Sequence, residues 1–267
     1  MIAAKNGRKW VKSLDFAGGS AYNAGMEYFF TTEERLPAGL GFDLFGREHL
    51  CALLLCAALG AALCLAYRRA SAEGRARLRH ALGWAVLACE LLKDGNLIAQ
   101  GVFGVGYLPL HLCGLAVFFT LWHSLRPGET VGNLLYSSCM PGAAFALVFP
   151  DWTVYPIVSY HAIVGFLVHA LLVIYPLMLV LGGDLRPRVR YLPRCFLILL
   201  ALAVPIYVFD RLFHVNYMFL VQPAPGSPLE WFASLLGVPG YLLGYLPMLA
   251  VIWLLLYLPF RKAPKEG

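Results

Sequence analysis

Long stretches without charge constrain this chain more than any other feature of its sequence. Residues 50–67, 130–150, 152–183 and 231–260 contain no Asp, Glu, Lys or Arg. The stretch 95–125 is equally uncharged, although it must include a loop around Gly101–Gly106. An ionised side chain at mid-bilayer costs at least ~2.5–3.5 kcal/mol, and a helical span needs roughly 20 predominantly apolar residues. The pattern therefore predicts an all-α polytopic membrane protein with seven transmembrane helices, at about 50–67, 81–100, 107–125, 131–149, 157–181, 194–212 and 235–258. The short run 195–209 reaches span length with Asp210 and Arg211 at headgroup depth, while 81–100 is interrupted by Glu90, Lys93 and Asp94. Composition agrees. At 60% hydrophobic and 13% charged, the chain lies far from the ~45–50% and ~25% of soluble domains, and it is equally unlike a disordered segment.

Seven spans sort the loops onto two faces. The loops at 68–79, 126–130 and 182–193, with the adjoining Arg194 and the C-terminal tail 261–267, carry 13 of the 21 Lys and Arg. Four of the remaining eight lie at 5–12, too far from a span to bias insertion. This asymmetry predicts the N-terminus outside, the C-terminus inside and a basic cytoplasmic tail. The net charge of +6 is thereby spent on orientation, so nucleic acid is not an expected partner; membrane lipids are. Residues 1–47 form an N-terminal extension to the domain at 48–260. The basic stretch KNGRKWVK lacks a signal peptide's apolar core, and Met26 is a natural alternative start, making 1–25 an upstream extension or an interfacial segment.

The seven cysteines all fall within predicted spans, which suits apolar packing rather than a disulfide framework. CxxC, HExxH, P-loop and GxSxG patterns are absent. Zinc bound by His49, His111 and His161 is conceivable, but no metal or other cofactor is expected. Ionisable residues within spans are expensive and face the bundle interior by default. With the predicted orientation, His49, Glu90, Lys93, Asn96, His111, His161 and Asn216 fall in the outer half, on five segments, and His169 lies near the middle. They predict a polar pocket opening outward. Glu90 paired with His111 or His161 suits acid–base work, proton relay or structural bonding. Cys113, two residues after His111, lies roughly 200° around the helix from it, so the two cannot act as a nucleophile–base pair.

Several of these residues sit in recognisable stretches: LFGREHL at 44–50, YLPLHLCGLAVF at 107–118, LVFPDW at 147–152, YHAIVGFLVHALLVIYPL at 160–177, NYMFLVQP at 216–223 and LLLYLPF at 254–260. Their order resembles the bacterial YwaF-type integral membrane proteins, which are related to animal transmembrane protein 164. The resemblance implies seven helices in a bacterial cytoplasmic membrane. The animal branch is associated with acyl transfer onto ether phospholipids, through a cysteine directly before a histidine in helix 3 and a second histidine in helix 5. Those histidines correspond to His111 and His161, but the cysteine position is Leu110 here, and leucine cannot carry an acyl group.

Two functions follow as expectations, with enzyme status and oligomeric state left open. In the first, the pocket binds or transports a small or amphipathic ligand, contacted by His49, Lys93, Asn96, Cys113, His169, Asn216 and Tyr217. In the second, the protein is a lipid-directed acyltransferase or hydrolase, with His111 or His161 as general base, Glu90 orienting it and Asn216 or Lys93 holding a headgroup or oxyanion.

Overall fold

The computed structural model describes residues 26–260. Among them there are helices and turns and no strand. Eight α-helices follow in order: α1 (Arg47–Arg69), α2 (Ala72–Ala99), α3 (Leu112–Leu125), α4 (Glu129–Val148), α5 (Tyr160–Gly182), α6 (Leu192–Phe213), α7 (Pro228–Leu236) and α8 (Tyr245–Tyr257). Five segments are long and apolar enough to cross a membrane: α1, α4, α5, 189–213 around α6, and 240–260 around α8. Helix α2 exceeds all of them in length but carries the Arg-rich first turns and Glu90–Asp94, and α3 has only 14 residues.

The helices are arranged around α5 and α4. In their most apolar stretches 61% of residues are buried by protein, against 6% for α1, 11% for the α6 segment and 17% for the α8 segment. Leu171, Leu172, Tyr175, Met178 and Leu179 of α5 meet Val86 of α2, Val117 of α3 and Leu134 and Leu135 of α4 in the main core. The peripheral helices turn leucines outward, including Leu54 and Leu55 of α1, Leu197 and Leu212 of α6, and Leu254 and Leu255 of α8. In water so much contiguous apolar surface would drive aggregation; against acyl chains it costs nothing.

Proline and glycine place the element ends. Leu108 precedes Pro109 and is extended, as sterics require of a residue before proline. The chain then folds back so closely that a Cβ on Gly114 would lie 2.8 Å from the Pro109 backbone. Helix α3 therefore begins at Leu112 rather than 107, with His111 as its extended N-cap. Because His111 is off the helix, the angular argument separating it from Cys113 does not apply. Pro141 likewise marks α4, which widens into a π-turn at Leu135–Cys139 just ahead of it, where the helix absorbs a residue that cannot donate an amide. The last apolar run is not one helix from 235. Gly237, at φ +69°, ends α7, and a 3-10 turn at Gly240–Gly244 leads into α8.

Two polar layers close the bundle at opposite ends. At one, the α1 C-terminus, the α2 N-terminus and the α5 C-terminus share Asp184. Arg75 Nη1 donates to its Oδ1 at 2.9 Å, Arg79 Nη1 to its Oδ2 at 3.2 Å, and the Tyr67 hydroxyl to the same Oδ2. Nearby, His123 Nδ1 meets the Tyr175 hydroxyl at 3.0 Å, and Asn133 Oδ1 accepts from the Arg188 amide and the Tyr257 hydroxyl. The other end holds the residues singled out from the sequence.

Candidate functional site

Helix α2 enters this end with Glu90, Lys93, Asp94 and Asn96 spaced along its last turns. Glu90 is buried and accepts from Lys93 Nζ at 2.7 Å, and Asp94 Oδ1 lies 3.3 Å from the same ammonium. One turn on, a chain of amides fixes a histidine. Gln100 Nε2 donates to the Phe30 carbonyl and, at 2.9 Å, to Asn96 Oδ1. With its oxygen committed, Asn96 turns Nδ2 to the Phe30 carbonyl at 3.2 Å and to His161 Nε2 at 3.0 Å. His161 Nε2 is therefore an acceptor, and its ring stacks on Tyr155 at 4.9 Å.

His111 is held from the opposite side. The Met218 amide donates to His111 Nδ1 at 3.2 Å, and the ring packs edge-on against Tyr217 at 5.0 Å. Met218 and Phe219 adopt left-handed backbone, φ 52° and 55°, conformations that side chains beyond glycine and asparagine rarely take up. In the neutral ring, Nδ1 as acceptor leaves the proton on Nε2, which has no hydrogen-bond partner among the described residues. Tyr217 is itself anchored, donating from its hydroxyl to the Val105 carbonyl at 2.5 Å.

Electrostatic neighbours join these groups. His111 lies in the fields of Asp151 and Lys93, Cys113 in those of Asp151 and Glu90, and His169 in those of Asp151, Glu90 and Lys93. His161 feels Lys93 and Glu34. Glu90 and Asp94 thus flank the Lys93 ammonium, Asp151 acts on His111, Cys113 and His169, and Arg35 donates to the Gln100 carbonyl at 3.0 Å. Over the site the N-terminal segment is tied down by the Tyr107 hydroxyl, which donates to Glu34 Oε1 at 2.6 Å, and by the Glu33 amide, which donates to the Tyr155 hydroxyl at 3.2 Å. The Tyr107 hydrogen bond holds the Glu34 carboxyl below its usual range, and burial pushes the Tyr155 phenol up to about 12.

Other residues from the sequence pattern bond to backbone or pack against neighbouring rings and the core. His49 is fully buried, accepting from the Phe45 amide on Nδ1 at 3.0 Å and reaching the Leu147 carbonyl from Nε2 at 2.9 Å, so both nitrogens are used. Asn216 closes its own loop: Oδ1 accepts from the Val221 and Gln222 amides and Nδ2 donates to the Gln222 carbonyl. His169 Nδ1 bonds back to the Gly165 carbonyl at 2.7 Å while its ring stacks on Trp152. Cys113 is half-buried against the main core. Asp151, Gln100, Tyr155, Glu34 and the Met218 amide belong to the site but escaped sequence reasoning. Asp151 did leave a signal, as the single charge between residues 130 and 183. Among the described residues, no three His, Cys, Asp or Glu side chains are grouped to hold a metal ion.

The sequence model of the TMEM164 family matches residues 44–257. No curated protein and no solved structure matches the chain.

Proposed function

Because the chain belongs to the TMEM164 family, we propose that it is a seven-span membrane protein that binds, and in one version of its cycle transports, an amphipathic ligand at the His111 end. Helices α2 and α3 complete the seven spans, with that end facing outward. Leu110, where the animal branch has cysteine, supports placement on the bacterial YwaF-type branch, hence in a bacterial cytoplasmic membrane.

One observation carries the binding reading. Neither histidine offers a free basic nitrogen: His161 Nε2 accepts from Asn96 and His111 Nδ1 accepts from Met218, leaving His111 a hydrogen-bond donor. A general base needs a lone pair within reach of the proton it removes, and no nucleophile is bonded to either ring among the described residues. This disfavours a lipid-directed acyltransferase. The carboxyls Glu90 and Asp94 beside Lys93, with Asp151 acting on His111, favour a ligand whose head is cationic or zwitterionic and carries an oxygen that accepts from His111 Nε2.

The test is mass spectrometry of lipids and small molecules co-purifying with wild type, His111→Ala and His111→Asn. Asparagine keeps an acceptor for the Met218 amide but lacks the Nε2 donor. Both variants should lose the bound species by about tenfold, the equivalent of one ~1.4 kcal/mol hydrogen bond. Equal retention in all three proteins overturns the reading, and turnover of a phospholipid ester by wild type would restore the enzyme.

A further inference from the structure

Asp210, in the last turn of α6, is 1% exposed, and neither of its carboxyl oxygens has a hydrogen-bond partner among the described residues. The groups around it explain why. Tyr217 donates its hydroxyl to the Val105 carbonyl, Tyr241 to Phe219 at 2.8 Å and Tyr245 to Met218 at 2.8 Å, so these phenolic protons are committed elsewhere. Tyr217 and Tyr241 both lie in the field of Asp210, Tyr217 also feels Asp94, and Tyr207 is the phenol on its own helix. Arg211 and His214 are exposed, and no ion pair reaches Asp210 among the described residues.

An unpaired ionised carboxylate is among the most costly groups to bury, and such a group ordinarily neutralises. A metal ion would need further ligands. Asp210 belongs to no metal-binding group among the described residues, and the carbonyls of Val105, Met218 and Phe219 already accept from tyrosines. We propose that Asp210 is a proton-binding site, neutral in the folded protein, and that its proton controls how the Tyr217–Phe219 turn holds His111. The step is a simple protonation: a carboxylate oxygen forms an O–H bond with a proton from the adjoining aqueous phase, and nothing is oxidised or reduced.

The link to His111 is short. Among backbone groups, the Tyr217 amide acts on Asp210. The next amide, of Met218, is the one bonded to His111 Nδ1, and it sits on left-handed backbone. Ionised Asp210 draws the Tyr217 N–H toward itself, rotates that turn and releases His111. Proton loss at Asp210 would thus loosen the ligand donor, a control that rests on His111 being the ligand donor proposed above.

Infrared spectroscopy of full-length protein in phosphatidylcholine–phosphatidylglycerol vesicles tests the site without any ligand. With 13C-labelled aspartate, wild type at neutral pH should show a protonated-carboxyl band that shifts with the label. The band should vanish in Asp210→Asn and lose its label shift in Asp210→Glu, which retains the acid if the amide does not fold. An unchanged band in both variants, or no such band in wild type, overturns the proton site. The coupling is read separately from the 15N resonances of His111 by NMR. Raising the pH should move them in wild type and not in Asp210→Asn. Equal movement in both, or none in either, refutes the coupling, whereas failure of lipid retention alone refutes only the ligand reading.

Discussion

Removing Asp184 tests whether the far polar layer, and not apolar packing alone, holds α1, α2 and α5 in register. Its carboxyl accepts from Arg75, Arg79 and Tyr67, and Arg75 also caps the end of α5 by donating to the Gly182 carbonyl at 2.7 Å. Exposed ion pairs contribute only ~0–1 kcal/mol, but hydrogen bonds to charged groups reach ~1.5–3 kcal/mol when partly buried. The Asp184 side chain is 30% exposed, and those of Arg75 and Arg79 are 24% and 17% exposed, so each bond is taken near the low end. Arg79 gives the loss its asymmetry: among the described residues its Nε already lacks a partner, and without Asp184 the guanidinium keeps only the Tyr67 hydroxyl. Asp184→Ala should therefore cost about 2–4 kcal/mol. For a chain of this length that corresponds to a melting temperature lower by about 5–10 °C. The assay is thermal unfolding of detergent-solubilised protein at one fixed scan rate, because membrane proteins seldom unfold reversibly. Asp184→Asn, retaining an acceptor, should fall between. A drop under about 1 °C refutes the reasoning, as does strict additivity of Arg79→Ala with Asp184→Ala, since groups in contact must couple.

Gly182→Ala strains the same corner, because its Cβ would lie 2.7 Å from the Tyr67 ring, which hydrogen bonds hold in place; overpacking of about 1–3 kcal/mol should appear in the same melting assay. His49→Ala removes two buried hydrogen bonds and leaves the Phe45 amide and the Leu147 carbonyl unpaired, so it should destabilise by about 2–4 kcal/mol while leaving the resonances of His111 in place. Glu34 favours its charged form through Tyr107, so that contact is present above the ordinary carboxylate range near ~4.3 and is lost as pH falls through the lower folded value. NMR of the Tyr107 ring should show that transition, and Glu34→Gln should abolish it. Finally, with a membrane-impermeant maleimide applied to intact spheroplasts, Ser227→Cys should react and Ser71→Cys should react only after permeabilisation; the reverse result inverts the proposed orientation.

The helices were legible because their signal is local. Charge-free runs locate α1, α4, α5 and α6 to within a few residues, and Arg68, Arg69, Arg75 and Arg79 mark the α1–α2 corner, although nothing local in the sequence pairs Arg75 and Arg79 with Asp184. The turn at Pro109 was harder. Proline near a helix start is ordinarily tolerated, and only the contact between Pro109 and Gly114 shows that the chain doubles back and leaves His111 outside the helix. The break at Gly237–Pro239 was visible in composition but was overridden by the hydrophobicity of the run around it.

By itself, then, the sequence determined that this is a multi-helix membrane chain and which polar residues it keeps near the ends of its spans, because the cost of charge in an apolar medium acts residue by residue. The tertiary structure decided what each of them bonds to. His49 and Asn216 looked equivalent to His111 as polar groups at helix ends, yet the first two spend their hydrogen bonds on nearby backbone while His111 retains a donor. Asp210 reads as a charge at headgroup depth, and the structure adds that its side chain is buried by protein with no hydrogen-bond partner among the described residues. Hydrogen-bonding capacity is fixed by residue type, but whether it is already spent depends on carbonyls and amides brought together from distant segments, and packing alone sets those distances.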